Sequence, residues 1–253
     1  MLTIDASLGK PLAKVGNRIV SVITSKAEIK ANDIAVKTSF NLDPEGDAQF
    51  VQAVNTTTER EILYIFGPSG SGKSTYTVEY LKQYKKTYPK RSIYVLSALT
   101  EDVTLDKVPG LKRLKINERL ISEPLKAEQF QDACLVLDDT DCISDVGIRK
   151  AVLAIAGECL ELGRHFNNTL IFTSHLSSAG KDTRKIWNEC TSVTYFPSAG
   201  AVKGIYYALQ NYVGMEKKQI DEAKKSGSRW VTVFKTYPQV IMGQHFIKML
   251  SED

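Results

Sequence analysis

The chain contains no C-x-x-C pair, no H-E-x-x-H and only three histidines. Its four cysteines, Cys134, Cys142, Cys159 and Cys190, are scattered rather than clustered. That spacing argues against a structural metal or a disulfide framework; the thiols read as buried, small apolar residues in a reducing compartment. His165, His175 and His245 are too dispersed for a metal triad. No apolar run approaches the ~18 residues a membrane span needs. The amino-terminal MLTIDASLGKPLAKVGNRIV lacks the continuous apolar core of a signal peptide. The expectation is a soluble, cytoplasmic chain. Charge of one sign is also scarce: 33 Lys and Arg against 29 Asp and Glu leave a net charge of +4. This is compatible with a nucleic-acid partner and too weak to identify one.

At 253 residues, with 43% hydrophobic and 25% charged side chains, there is chain enough for one well-buried α/β domain and an appendage. Residues 1–58 differ from the rest. Arg18–Thr24 and Ile34–Phe40 read as short strands, and Asn41–Gly46 (NLDPEG) as a loop, giving a small β-rich arm. From residue 59 to 240 strands and helices alternate, leaving 241–253 as a tail. The strand-like runs are Ile62–Phe66, Ser92–Leu96, Leu111–Ile116, Ala133–Leu137, Thr169–Thr173, Ser192–Phe196 and Trp230–Phe234. Between them, Ile148, Val152, Ile155, Cys159 and Leu162 share a helical face that ends at Gly163, and Met215–Lys225 is a more polar helix. Alternation of this kind predicts an α/β fold with a mostly parallel sheet flanked by helices.

The most informative segment is GPSGSGKS, which follows the apolar run EILYIF directly and opens a helical pattern. In G-x-x-x-x-G-K-[ST], glycines let successive backbone N–H groups turn inward around a phosphate chain, beside a helix N-terminus. Gly67, Pro68, Ser69, Gly70, Ser71, Gly72, Lys73, Ser74 and Thr75 are therefore the candidate nucleotide-binding residues. Lys73 would reach the β- and γ-phosphates and Ser74 would ligate Mg²⁺. ATP and Mg²⁺ are the expected cofactors.

Hydrolysis needs carboxylates as well. Ala133–Asp141 reads ACLVLDDTD, a buried-strand pattern that delivers acids at its carboxyl end, beside a phosphate loop in this class of sheet. Asp138 would hold the metal shell and Asp139 would orient or deprotonate the attacking water. Asp141 reads as a cap. Basic clusters at Lys82/Lys85/Lys86 with Lys90/Arg91, at Lys112/Arg113/Lys115 and at Lys217/Lys218 with Lys224/Lys225 read as solvated faces. Tyr76, Tyr80 and Tyr84 read as packing along one helix.

GPSGSGKS, LVLDD, Gly163-Arg164-His165 before an apolar strand, the short segment carrying Arg184, and the tyrosine-bearing helix ending near Gly214 follow one another in an informative order. In that order the chain resembles the viral genome-packaging ATPases of the FtsK–HerA superfamily, over roughly residues 60–235. The resemblance implies a P-loop fold with an extra strand, Thr169–Thr173 lying between the phosphate-loop strand and the aspartate strand. It also implies Ser174 and His175 beside the γ-phosphate, where the family usually carries glutamine. Arg164 and Arg184, which read by spacing alone as surface charges, become charge stabilisers supplied by a neighbouring subunit. The implied activity is ATP hydrolysis coupled to moving double-stranded DNA into a capsid. The implied partners are a homo-oligomeric ring and capsid or virion-membrane components, in the host cytoplasm, the viral factory or the virion. A nucleoside or nucleotide kinase and a slow regulatory or assembly P-loop protein are the alternatives. The guanine-binding N-K-x-D is absent.

Overall fold

The computed structural model describes residues 1–4, 8–56, 60–177 and 180–250. The backbone groups into two units, Met1–Thr57 with Ser192–Asp253, and Thr58–Thr191. The amino-terminal segment thus groups with the last quarter of the chain, a boundary different from the expected 58/59 and 240/241.

In the first unit, β1 (Leu2–Thr3), β2 (Lys10–Val15) and β3 (Arg18–Val22) form an antiparallel sheet, with β5 (Val51–Gln52) at its edge in the order β1-β3-β2-β5. Between them lie α1 (Lys26–Ala31) and β4 (Ser39–Asn41). The expected strand over Ile34–Phe40 is largely absent. Asp33 adopts φ 49°, and only a bridge from Leu2 to Lys37 precedes β4. Helix α1 had a signal in the sequence: Ser25 and Glu28 have capping-box spacing, and Ser25 Oγ accepts the Glu28 N–H at 3.1 Å.

The second unit is built on β6 (Ile62–Phe66), β7 (Ile93–Ser97), β8 (Leu111–Leu114), β9 (Cys134–Asp138) and β10 (Thr169–Ser174). Their order is β6-β10-β9-β7-β8, every neighbouring pair parallel. As expected, β10 separates the phosphate-loop strand from the aspartate strand. β6, β9 and β10 are buried at every position, which is why they read as unbroken apolar runs rather than alternation. Helix α2 (Lys73–Thr87) buries Tyr76, Tyr80, Leu81 and Tyr84 at i, i+4 spacing, so the tyrosines do pack in the core. Tyr80 donates to the buried Glu61 carboxylate at 2.6 Å, and burial together with that charge raises the Tyr80 hydroxyl pKa well above its ordinary value.

After the short α3 (Arg119–Ser122), α4 (Val146–Leu162) buries Val152, Ile155, Ala156, Cys159 and Leu160. Each fully buried large aliphatic side chain contributes about 1.5–3 kcal/mol. Gly163 ends α4, though in a right-handed conformation (φ −59°) rather than the left-handed one that usually selects glycine there. Space is the reason. A Cβ at Gly163 would collide with Arg60 Nη1, Asn168 Oδ1 and Cys159 O. Arg60 donates to the Cys159 and Leu160 carbonyls at 2.7 and 2.6 Å, satisfying orphan acceptors of the last turn. Cys134, Cys159 and Cys190 are buried free thiols, whereas Cys142 is exposed, contrary to the expectation of four buried cysteines. Helix α5 (Lys181–Glu189) completes this unit.

The chain re-enters the first unit at β11 (Ser192–Tyr195) and continues through α6 (Val202–Ala208), a π-helical turn over Leu209–Val213, and α7 (Lys217–Lys225). β12 (Val231–Phe234), β13 (Val240–Gly243) and β14 (Phe246–Met249) follow, in the antiparallel order β4-β14-β13-β12-β11. Gly214 at φ 81° ends the tyrosine-bearing helix where the resemblance placed that end. Residues 241–250 are therefore not a tail but hairpin strands. Their apolar side chains Met242 and Ile247 join Leu2, Leu12, Val20, Phe50 and Phe234 in the core of this unit. The remaining residues, 251–253, lie outside the described part.

Candidate nucleotide site

The site lies at the carboxyl ends of β6, β10 and β9, where loops of a parallel sheet converge. Gly67 leaves β6 with its N–H bonded to Ser174 O of β10 at 3.0 Å. Gly70 and Gly72 take φ 74° and 115°, values L side chains rarely adopt, so two glycines of the motif serve the backbone turn itself. Gly72 caps α2 without a side chain, leaving the first N–H groups of a 15-residue helix at the loop. Pro68, Ser69, Ser71 and Thr75 complete the loop and first turn; Ser69 and Thr75 are exposed.

Lys73, only 6% exposed, donates to Gly67 O at 3.0 Å and lies 3.6 Å from Asp139 Oδ1 and 3.5 Å from His175 Nδ1. His175 Nε2 is 2.9 Å from Asp139 Oδ2. A neutral imidazole protonated on Nε2 meets both neighbours, donating to Asp139 and accepting from the Lys73 ammonium. Lys73, Asp139 and His175, drawn from three separate segments, form one contact group.

Asp138 is buried and receives two hydroxyls, Thr173 Oγ1 at 2.8 Å on Oδ1 and Ser97 Oγ at 2.9 Å on Oδ2. Burial raises its pKa above the usual carboxylate value; the Thr173 hydrogen bond opposes that shift and the Asp139 charge adds to it. Asp139 adopts a left-handed conformation (φ 43°, ψ 42°) and its N–H donates to Thr173 Oγ1 at 2.9 Å. Its carboxylate reaches Lys73 and His175, with Oδ1 also 3.2 Å from the Thr173 hydroxyl that Asp138 accepts from. Ser74 Oγ is 3.5 Å from Asp102 Oδ2. Ser74, Asp138 and Asp139 offer hard oxygen donors. No group of three or more His, Cys, Asp or Glu among the described residues is arranged to hold a metal by protein ligands alone. Such a donor set suits Mg²⁺, which binds through one or two carboxylates plus substrate phosphates.

Three neighbours were not legible as site residues. Thr173 and Ser97 are polar side chains at the ends of apolar strands, a weak signal. Asp141, expected as a cap, caps nothing: Asp145 accepts the Ile148 N–H at the start of α4, while Asp141 Oδ2 accepts from Ser174 Oγ at 3.0 Å and His175 N at 3.3 Å. A cavity of about 270 Å³ lined by Asp141, Arg149, Ser174 and Thr183 adjoins this point.

Arg164 and Lys73 lie at opposite edges of the parallel sheet. Arg164 is exposed and follows α4 at the amino ends of the strands, where Asp132 N bonds Phe166 O just before β9. A six-residue strand separates the two edges, about 20 Å. Arg184 is exposed on the first turns of α5, whereas the adjacent Thr183 is buried and lines the cavity beside Ser174. Of the basic clusters, Lys82 pairs with Glu79 and Arg113 with Asp106 at 2.8 Å. No described helix is long and apolar enough to cross a membrane.

No protein-family model matches the chain. Among solved structures, it is similar to the cytoplasmic domain of the Thermomonospora curvata type VII secretion ATPase EccC, with a TM-score of 0.52 and 12% identity, over 83% of this chain and 28% of that one. It is also similar to B204, the DNA-packaging ATPase from Sulfolobus turreted icosahedral virus, with a TM-score of 0.49 and 14% identity, over 74% of this chain and 98% of that one. The α/β architecture, a mostly parallel sheet flanked by helices, is the one that the order of motifs implied. In sequence, the chain is 38% identical over 247 residues to uncharacterized protein V3 of Sputnik virophage, covering 95% of this chain and 96% of that protein. On that near-complete match, the chain belongs to the family of virophage protein V3.

Proposed function

We propose that this protein is a Mg²⁺-dependent ATPase that works as a homo-oligomeric motor, moving double-stranded DNA into a viral capsid. The observation that carries the reading is the meeting of Lys73, Asp139 and His175 beside the buried Asp138, at the mouth of a glycine loop that opens a helix. Similarity to a DNA-packaging ATPase and to a secretion ATPase supports the choice of a motor over a kinase.

In this reading the loop N–H groups and the start of α2 bind the phosphate chain, and Lys73 offsets charge on its terminal part. Ser74 and Asp138 would hold Mg²⁺, which would supply Lewis-acid charge neutralisation on the phosphate oxygens. Asp139 takes the proton of the attacking water, its carboxylate held for that role by His175 Nε2 and its backbone N–H by Thr173 Oγ1. Arg164, on the far edge of its own sheet, acts only on a neighbouring subunit; Arg184 is the second candidate for that position. Capsid or virion-membrane components are the partners of the assembled motor, in the host cytoplasm or viral factory.

The test is the ATPase rate with and without double-stranded DNA, with solution mass measured in parallel. Turnover that requires Mg²⁺ and rises with DNA in an oligomer is the expected result. A monomer that is fully active at nanomolar concentration and indifferent to DNA would overturn the motor. Phosphoryl transfer to a nucleoside or nucleotide in place of water would make it a kinase.

A further inference from the structure

The three-residue segment Asp139-Thr140-Asp141 touches His175 at two points. Asp139 Oδ2 meets the imidazole Nε2 at 2.9 Å, and Asp141 Oδ2 accepts the His175 backbone N–H at 3.3 Å. Asp141 also accepts from Ser174 Oγ at 3.0 Å, and that hydroxyl receives the Leu176 N–H at 3.1 Å. The exit turn of β10 is held from other sides by Tyr64, whose hydroxyl donates to Leu176 O at 2.9 Å, and by Trp187, whose indole N–H donates to Ser177 O at 2.9 Å. Of these clamps, only Asp141 belongs to the segment that carries Asp139. Asp139 is in the left-handed conformation, and the Asp139 and Asp141 side chains both contact the end of β10, at Thr173 and Ser174. Asp141 Oδ1 is buried with no hydrogen-bond partner among the described residues.

We infer that Asp141 is a positioning residue for hydrolysis: by holding the His175 backbone it fixes the imidazole between Lys73 and Asp139. The inference rests on the ATPase reading above. Asp141 touches none of the reacting groups itself and acts through His175.

The experiment is steady-state ATPase kinetics on Asp141→Ala, Asp141→Asn, His175→Ala and the double variant Asp141→Ala/His175→Ala, with thermal melting of each. Misplacing a group held this closely costs about 10- to 100-fold. The expected result is a fall of that size in kcat for Asp141→Ala with KM for ATP within about twofold. Asp141→Asn, which keeps an acceptor for both donors, should stay within about threefold of the parent. In the His175→Ala background, Asp141→Ala should add less than about twofold, because the two act as one unit. If Asp141→Ala does not fold, Asp141→Ser takes its place, its hydroxyl being too short to reach both donors. An unchanged kcat, multiplicative losses in the double variant, or loss of turnover in Asp141→Asn equal to that in Asp141→Ala would overturn the inference. A parent protein that binds no ATP and shows no turnover would overturn the ATPase reading itself. Active parent protein with an insensitive Asp141 overturns the positioning role alone.

Discussion

Thr173 Oγ1 lies 2.8 Å from Asp138 Oδ1, which makes β10 a splint for the acids that end β9. The same hydroxyl accepts the Asp139 N–H at 2.9 Å. Replacing it with an isosteric methyl leaves a buried carboxylate oxygen without its donor. Thr173→Val is expected to lower metal affinity or turnover about 10- to 100-fold, the usual cost of losing a group that orients a metal ligand. Thr173→Ser should stay close to the parent. Mg²⁺ titration of ATPase activity measures this, and equal behaviour of the two variants would remove Thr173 from the site.

Lys73→Ala should abolish turnover while leaving the melting curve intact. Its ammonium contacts are polar, to Gly67 O and towards Asp139 and His175. Asp139→Asn should still bind Mg·ATP and hydrolyse it about 10²- to 10⁴-fold more slowly, the cost of losing a positioned base. Binding of a fluorescent ATP analogue separates the two. Parental turnover in a folded Lys73→Ala protein would end the phosphate-loop assignment.

Asp138 sets function against stability. Burial raises its carboxyl pKa, so the folded chain holds that proton more tightly than the unfolded chain. The group therefore favours the fold most at pH below its ordinary value, and that contribution falls as pH rises through the raised value. At neutral pH, with nucleotide and metal absent, Asp138→Asn should raise Tm by a few degrees, a scale of about 1 kcal/mol in chains of this size. The gain should fade in acid, while Mg²⁺-dependent activity is lost at every pH. Differential scanning fluorimetry across pH tests the sign, and a Tm below the parent at neutral pH would contradict it.

Arg164 stands at the sheet edge opposite its own Lys73 and Arg184 is exposed on α5, so in a ring of subunits the contribution of either to turnover is expected to come from a neighbour. At least one of Arg164→Ala and Arg184→Ala should lower turnover without weakening ATP binding. Adding the Lys73→Ala protein, inactive but with both arginines intact, should restore part of the activity. Mixing that restores nothing, for two variants that are both impaired, would exclude a finger acting in trans.

Gly163→Ala should destabilise the second unit by about 1–3 kcal/mol or more, since a Cβ there meets Arg60, Asn168 and a helix carbonyl at once. Urea unfolding reads the loss. Combining it with Arg60→Ala, which removes one of those atoms, should give less than the sum of the single losses.

The sequence by itself determined the elements of the parallel unit and the backbone turn at its edge. ILYIF, CLVLD and TLIFTS are buried on both faces, so their apolar runs required no knowledge of neighbours. GPSGSGKS carries its own backbone geometry, and Gly70 and Gly72 adopt the positive φ that the motif requires. Where the signal depended on partners, the sequence was silent. Ile34–Phe40 has strand composition but little to pair with, and Val240–Met249 pairs into a hairpin whose core neighbours begin with Leu2. Gly163 reads in the sequence as a helix stop, and only the approach of Arg60 shows that space selects it. The same holds at the site. Asp138 and Asp139 were legible from their place after a strand, but Thr173, Ser97 and the turn of Asp141 towards His175 were not. Local motifs write the backbone conformation of a few adjacent residues. Which side chains then meet across 28 to 102 positions, as Ser74 meets Asp102 and Lys73 meets His175, is decided only when the strands are laid side by side.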